Sequence, residues 1–185
     1  RKEELALDKQ QIIAYYQKNP SPIVDYSIKD PKKVLNTNTY QNGGWFLNML
    51  RHKLGDKAFW NGIRAYYKKY RNSNAMTADF QKEMELVSNQ NLADFFHQWL
   101  FVKGYPELKW NWKYKKGNII INIKQVQQHF VFDFPLEIAI TTGSVTELKV
   151  IDMHTKTTTV KIPIDRKPSK VVLDPDFWLL FEDKN

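Results

Sequence analysis

No cysteine occurs in the 185 residues, which excludes disulfides and thiolate metal sites while leaving the compartment open. Long apolar runs are missing too, so nothing approaches the roughly 20 residues that a membrane-spanning helix needs. No signal-peptide pattern opens the chain. Its first residue is Arg1 rather than methionine, so it reads as an excised piece, and a lost leader stays open. Cytoplasmic, periplasmic and secreted settings are all compatible with this composition. Histidine is scarce: His52, His97, His129 and His154. No two lie four apart, so a His-Glu-x-x-His zinc helix is absent. Each of the four reads better as a surface or half-buried side chain than as a ligand. There is no Gly-x-Ser-x-Gly elbow and no glycine-rich phosphate loop. The carboxylate pairs Asp174/Asp176 and Glu83/Glu85 read as turn and solvated helix residues. On its own the chain holds no complete catalytic machine, and it is expected to bind no metal by itself.

What is present points to packed cores. Hydrophobic residues make up 42% of the chain and aromatics 14%, too many for a disordered segment. The net charge is +8, but no arginine-rich cluster or nucleic-acid motif accompanies it. A solvated basic surface is therefore the better reading, with no nucleic-acid partner.

Two periodicities divide the chain. Residues 3–18 read as a helix, stopped by Asn19-Pro20-Ser21-Pro22, because proline breaks the hydrogen-bond ladder. After an irregular stretch, Thr37, Asn38 or Thr39 can cap a second helix. A third begins after Gly55 with Asp56 as its cap and sets Phe59, Trp60, Ile63, Tyr66, Tyr67 and Tyr70 on one face. Thr77 and Asn91 can cap two more. Beyond Gly104-Tyr105-Pro106 the period becomes two: Leu108, Trp110, Trp112 and Tyr114 alternate with polar residues, then Ile119, Ile121 and Ile123. Phe130, Phe132, Phe134, Leu136, Ile138 and Ile140 continue the alternation, and three shorter strands follow. Strands at this spacing with no helix between them imply an antiparallel sandwich. The expected class is α+β: an all-α helical bundle over residues 1–104, then a small β-sandwich over residues 105–185.

The stretch the helical half is organised around is residues 40–56. As a helix it places Tyr40, Gly43, Gly44, Leu47, Leu50, Arg51 and Leu54 on one stripe, with Trp45, Phe46 and Met49 elsewhere, so burial nearly all round is expected. Glycines inside a helix cost roughly 1 kcal/mol each relative to alanine, and close approach of another backbone is the usual compensation. A core helix with a satisfied tyrosine accounts for the same spacing.

The run Tyr40-x-x-Gly43, Leu47-Asn48-Met49-Leu50-Arg51 and Leu54-Gly55-Asp56-Lys57-Ala58-Phe59 resembles the M1 family of zinc metallopeptidases, the gluzincin aminopeptidases. Phe95-Phe96-His97-Gln98-Trp99-Leu100 with Gly104-Tyr105-Pro106, and the closing Leu173-Asp174-Pro175-Asp176, are similar to further segments of that family. The resemblance implies that residues 1–104 are the C-terminal lobe of a thermolysin-like catalytic domain and that the sandwich domain follows it. It also implies hydrolysis of peptide substrates, zinc in the intact parent enzyme, and Tyr40 as the catalytic residue that stabilises the oxyanion. Gly43 and Gly44 would then admit a neighbouring helix. The zinc-binding half, the remaining partner of this segment, would lie upstream of Arg1. Asn42 departs from the pattern, standing where the family usually has lysine. A non-catalytic interaction module that kept the family fold is the alternative.

Overall fold

The computed structural model describes residues 2–185 and shows an α+β chain in two compact units, one of residues 8–104 and one of residues 2–7 with 105–185. The helical unit contains most of α1 (Lys2–Lys18), then a π turn (Asn38–Asn42) running into α2 (Gly43–Leu54), α3 (Asp56–Tyr70), α4 (Thr77–Ser88) and α5 (Ala93–Phe96). A second π turn, His97–Phe101, extends α5.

Burial of one aromatic stripe per helix assembles this unit. Trp45, Phe46, Met49 and Leu50 of α2 are buried, as are Leu92, Phe96, Trp99 and Leu100 around α5. Phe46 meets Phe96 edge-on at 5.0 Å between ring centroids, and Phe80 of α4 lies 5.9 Å from the same ring. Between α3 and α4 the contact is tighter. A Cβ at Gly62 would overlap the sulfur of Met84, which is fully buried. Gly62, which the spacing did not single out, is where two helices need the missing side chain. Gly104 at the end of the unit has φ +98, and a Cβ there would lie 3.0 Å from the Tyr16 hydroxyl.

Several local expectations are corrected. Trp60 and Tyr67 are exposed, because a stripe of six residues on α3 is wider than the face its neighbours cover. Asp56 does not cap α3. Its carboxylate instead receives the Arg51 guanidinium through two bonds of 2.7 and 2.8 Å. At α4 the side chain of Asp79 accepts the Met76 N–H at 2.9 Å, so the cap sits one residue before Thr77. Asn91 does receive the Ala93 N–H at 2.8 Å.

The second unit holds two sheets. β1 (Glu107–Lys115), β2 (Asn118–Gln125), β5 (Thr157–Pro163) and β7 (Glu182–Asp183) are ordered β5-β2-β1-β7. β3 (Phe134–Thr142), β4 (Val145–Met153) and β6 (Lys170–Leu173) are ordered β4-β3-β6. All pairings are antiparallel except β1 with β7. Leu108, Ile119, Ile121 and Ile123 on one sheet and Phe134, Leu136, Ile138 and Ile140 on the other are nearly inaccessible, as stacked sheets require. The outer face of the first sheet carries Lys109, Lys113, Lys115, Lys124 and Lys161 around a polar ladder, Asn111–Asn122–Thr159, with bonds of 3.0 and 2.9 Å.

Phe130 and Phe132 precede β3 instead of belonging to it. The buried side chain of Gln125 binds both backbone groups of Phe132, at 2.9 and 2.8 Å, in place of a strand partner. Asp174 is a turn residue: its buried carboxylate accepts the N–H groups of Trp178 and Leu179 at 2.8 and 3.0 Å. β7 has two residues and no period by which to find it.

Gly62→Ala gains about 1 kcal/mol of helix propensity but overpacks a buried contact at a cost of about 1–3 kcal/mol. The net effect should be a lower denaturant midpoint, partly relieved by adding Met84→Ala; an unchanged midpoint for Gly62→Ala would refute the tight contact. At the open end of the β3–β4 hairpin, His154 Nδ1 meets Asp133 at 2.9 Å. The bond to Asp133, then its charge and that of Asp152, raise the His154 pKa above the ordinary histidine value. Protonation therefore stabilises the fold fully below the unfolded value, and that contribution fades as pH rises through the raised one. NMR titration should show the His154 midpoint fall in Asp133→Asn; an unmoved midpoint would exclude the pairing.

Candidate functional site

Tyr40 occupies the middle of the π turn Asn38–Asn42, which precedes α2 without a break. None of Thr37, Asn38 and Thr39 caps this start. The Asn36 side-chain oxygen does so, accepting the backbone N–H of Asn38 at 2.8 Å and of Thr39 at 3.3 Å. Thr39 returns its hydroxyl to Val34 O at 2.6 Å. The turn is thereby closed on residues 34–36 before the helix proper begins.

α2 is amphipathic, not buried all round. Trp45, Phe46, Met49 and Leu50 face the core, whereas Tyr40 is 64% exposed and Leu47 38%. A Cβ at Gly43 or Gly44 would meet nothing within 4 Å among the described residues. The tyrosine and both glycines therefore share an open face of the turn and helix, with Leu47 one turn further on. The close approach that would account for these glycines is not made by the described residues, and Leu50 leaves the predicted stripe for the core.

Asn38 is 6% exposed although polar. Its Nδ2 donates to Pro22 O at 2.8 Å and Ser21 O at 3.1 Å, and its Oδ1 accepts from Asn42 Nδ2 at 2.8 Å. Asn42 is thus not an idle departure from a lysine pattern but a donor inside the turn. Asn38 was legible only as one of three candidate caps. The signal that could have found it is the i, i+4 amide pair flanking Tyr40.

The far end of α2 is fixed by charge. Arg51 pairs with Asp56 and lies 5.6 Å from the Trp60 ring centroid. The bond to Asp56 raises the Arg51 pKa further, so the guanidinium stays charged at any ordinary pH. The four histidines do not converge: among the described residues no group of three or more His, Cys, Asp or Glu side chains is placed to hold a metal ion. The arrangement offers one exposed phenolic O–H at the head of a helix, beside two residues that have no side chain to obstruct approach.

Comparison with known proteins gives the family of the chain. Residues 6–99 match the family model described as the peptidase family M1 domain. The chain is 34% identical over 67 residues to aminopeptidase N of Lactococcus lactis subsp. lactis, covering 36% of this chain and 8% of that protein. It is 28% identical over 119 residues to the puromycin-sensitive aminopeptidase of Caenorhabditis elegans, covering 63% of this chain and 12% of that one. The fold is similar to aminopeptidase A of Legionella pneumophila, solved in complex with aspartic acid, with TM-score 0.71 and 16% identity. That likeness covers 85% of this chain and 19% of the larger one. The chain therefore corresponds to a small part of the relatives it matches.

The open glycines generate a stability test. With nothing near either Cβ position, Gly43→Ala and Gly44→Ala should each stabilise the isolated chain by up to about 1 kcal/mol. Loss of stability in denaturant melts would mean that the helix face is closed after all.

Proposed function

The chain belongs to peptidase family M1, and from that premise we propose that it is the C-terminal part of the catalytic domain, residues 1–104, with the following β-sandwich domain, residues 105–185, of a zinc-dependent aminopeptidase. The observation that supports this most is Tyr40, inside the matched segment and 64% exposed, beside two glycines whose Cβ positions no described atom approaches within 4 Å. In this reading the Tyr40 phenol donates a hydrogen bond to the carbonyl oxygen of a peptide substrate as that oxygen gains negative charge. Such a donor acts in the transition state, where it contributes about 10²–10³ in rate. Gly43 and Gly44 leave room beside it for the substrate or a neighbouring helix. In this reading zinc is held by another part of the parent enzyme. The 185 residues alone are accordingly read as inactive, and the two halves of one polypeptide as each other's partners.

A second reading is supported by one observation: Asn42 stands in the place of the family's lysine, as it could in a module that kept the fold without the chemistry. Tyr40→Phe in the intact protein separates the two. The substitution removes one hydroxyl from an exposed ring, so folding should survive it. Under the catalytic reading kcat falls by about 10²–10³ with KM nearly unchanged. An unchanged kcat, or an intact protein with no peptidase activity, would favour the interaction module.

A further inference from the structure

Tyr40 has little packing to hold it. Its ring is mostly exposed, so its position is set by the backbone of the π turn that bears it. π turns are rare and are found disproportionately at functional sites, because the extra residue per turn weakens the regular ladder. Something else must then hold the turn. Here the two end residues do so: Asn42 Nδ2 donates to Asn38 Oδ1 at 2.8 Å, across the residue that matters. Asn38 in turn is tied to a distant segment, through Nδ2 to Pro22 O at 2.8 Å and Ser21 O at 3.1 Å.

We propose that Asn42 and Asn38 form an amide clamp that positions the Tyr40 phenol, with Asn42 acting as a positioning residue through its donated hydrogen bond. This rests on the reading of Tyr40 as the oxyanion donor. Asn38 is 6% exposed, so its Oδ1 has little access to water that could replace Asn42. A buried acceptor left unpaired carries a desolvation penalty that drives local rearrangement. The nearest backbone free to move is the turn itself, and Tyr40 moves with it. Misplacement of a catalytic group by about 1 Å costs about 10²-fold in rate. What position 42 must supply is a donor rather than an amide. Lysine, which only donates, can fill the role, whereas leucine, close to asparagine in shape, cannot.

The test uses the intact protein and two readouts. Asn42→Leu should lower kcat about 10–10²-fold with KM little changed, and Asn42→Lys should return most of the loss. In a Tyr40→Phe background Asn42→Leu should cost almost nothing more, because a residue that acts through another has no effect once that other is gone. Equal losses in both backgrounds, or no loss in either, would overturn the clamp. The second readout is a fluorine resonance from 3-fluorotyrosine at position 40. One sharp line is expected in the parent and in Asn42→Lys, and a split or broadened line in Asn42→Leu. If Tyr40→Phe leaves kcat unchanged, the oxyanion reading fails, and the fluorine spectrum alone then judges the clamp. An unmoved line in Asn42→Leu rejects it. Should Asn42→Leu not fold, Asn42→Ala removes the same donor and is read in the same two ways.

Discussion

The helical unit depends on the packing around Phe96. Its ring is wholly inaccessible and takes Phe46 edge-on at 5.0 Å, Phe80 at 5.9 Å and Phe95 at 6.4 Å, so α2, α4 and α5 meet at one side chain. Tyr66 of α3 joins through Phe80 at 5.1 Å. Edge-on aromatic pairs add about 0.5–1.5 kcal/mol beyond the area they bury. The larger consequence is directional. With Phe46 committed to Phe96, the rotation of α2 about its own axis is fixed, and the opposite face must point away from the core. Tyr40, Gly44 and Leu47 are exposed on that side, with Gly43 half-buried at its edge. Exposure of the candidate catalytic side follows from where the core aromatics sit.

Open glycines in a helix are the counterpart of that orientation. Each costs helix propensity, and within the described residues nothing compensates, since no atom lies near either Cβ position. Gly62 shows the opposite case, a glycine whose missing side chain is occupied by Met84. The first kind is destabilising without a contact in this chain to offset it. Under the proposed function, such open positions would leave room for approach to the tyrosine face, where a side chain would stand in the way.

Much of this was legible in the sequence, for definable reasons. The change from period 3.6 to period 2 around Gly104 reflects side-chain direction in helices and strands, and it separated helices from sheets without reference to packing. Ile119, Ile121 and Ile123 alternate and are buried as alternation requires. The misses share a cause: an apolar stripe says which residues prefer burial, not how much neighbour there is to cover them. Trp60, Tyr67 and Leu47 were read as core for that reason. Phe132 was read as strand because its spacing suits one, whereas the Gln125 side chain takes its backbone bonds. The family motif located Tyr40 but not its setting. Nothing in a spacing of three and four distinguishes a π turn from an α turn, nor shows that Asn38 reaches Pro22, sixteen residues earlier in the chain.

A hydrogen-bond donor that acts in a transition state must already be in place, because its advantage over water is that it need not reorganise as charge develops. Buried groups meet that requirement through packing. An exposed tyrosine cannot, and side-chain freedom at such a position works against it. The remaining way to hold the phenol is to stiffen the backbone beneath it, leaving only the ring's own two torsions. The π turn is stiffened on three sides: Asn36 caps its first N–H groups, Thr39 returns to Val34, and the Asn38–Asn42 pair ties it to residues 21 and 22. Those bonds come from small polar side chains with few rotamers, so holding them costs little entropy. In the proposed role, a solvent-facing phenol on a backbone tied to the buried Asn38 amide would reconcile the two demands on Tyr40, access for a substrate and a fixed position once the substrate arrives.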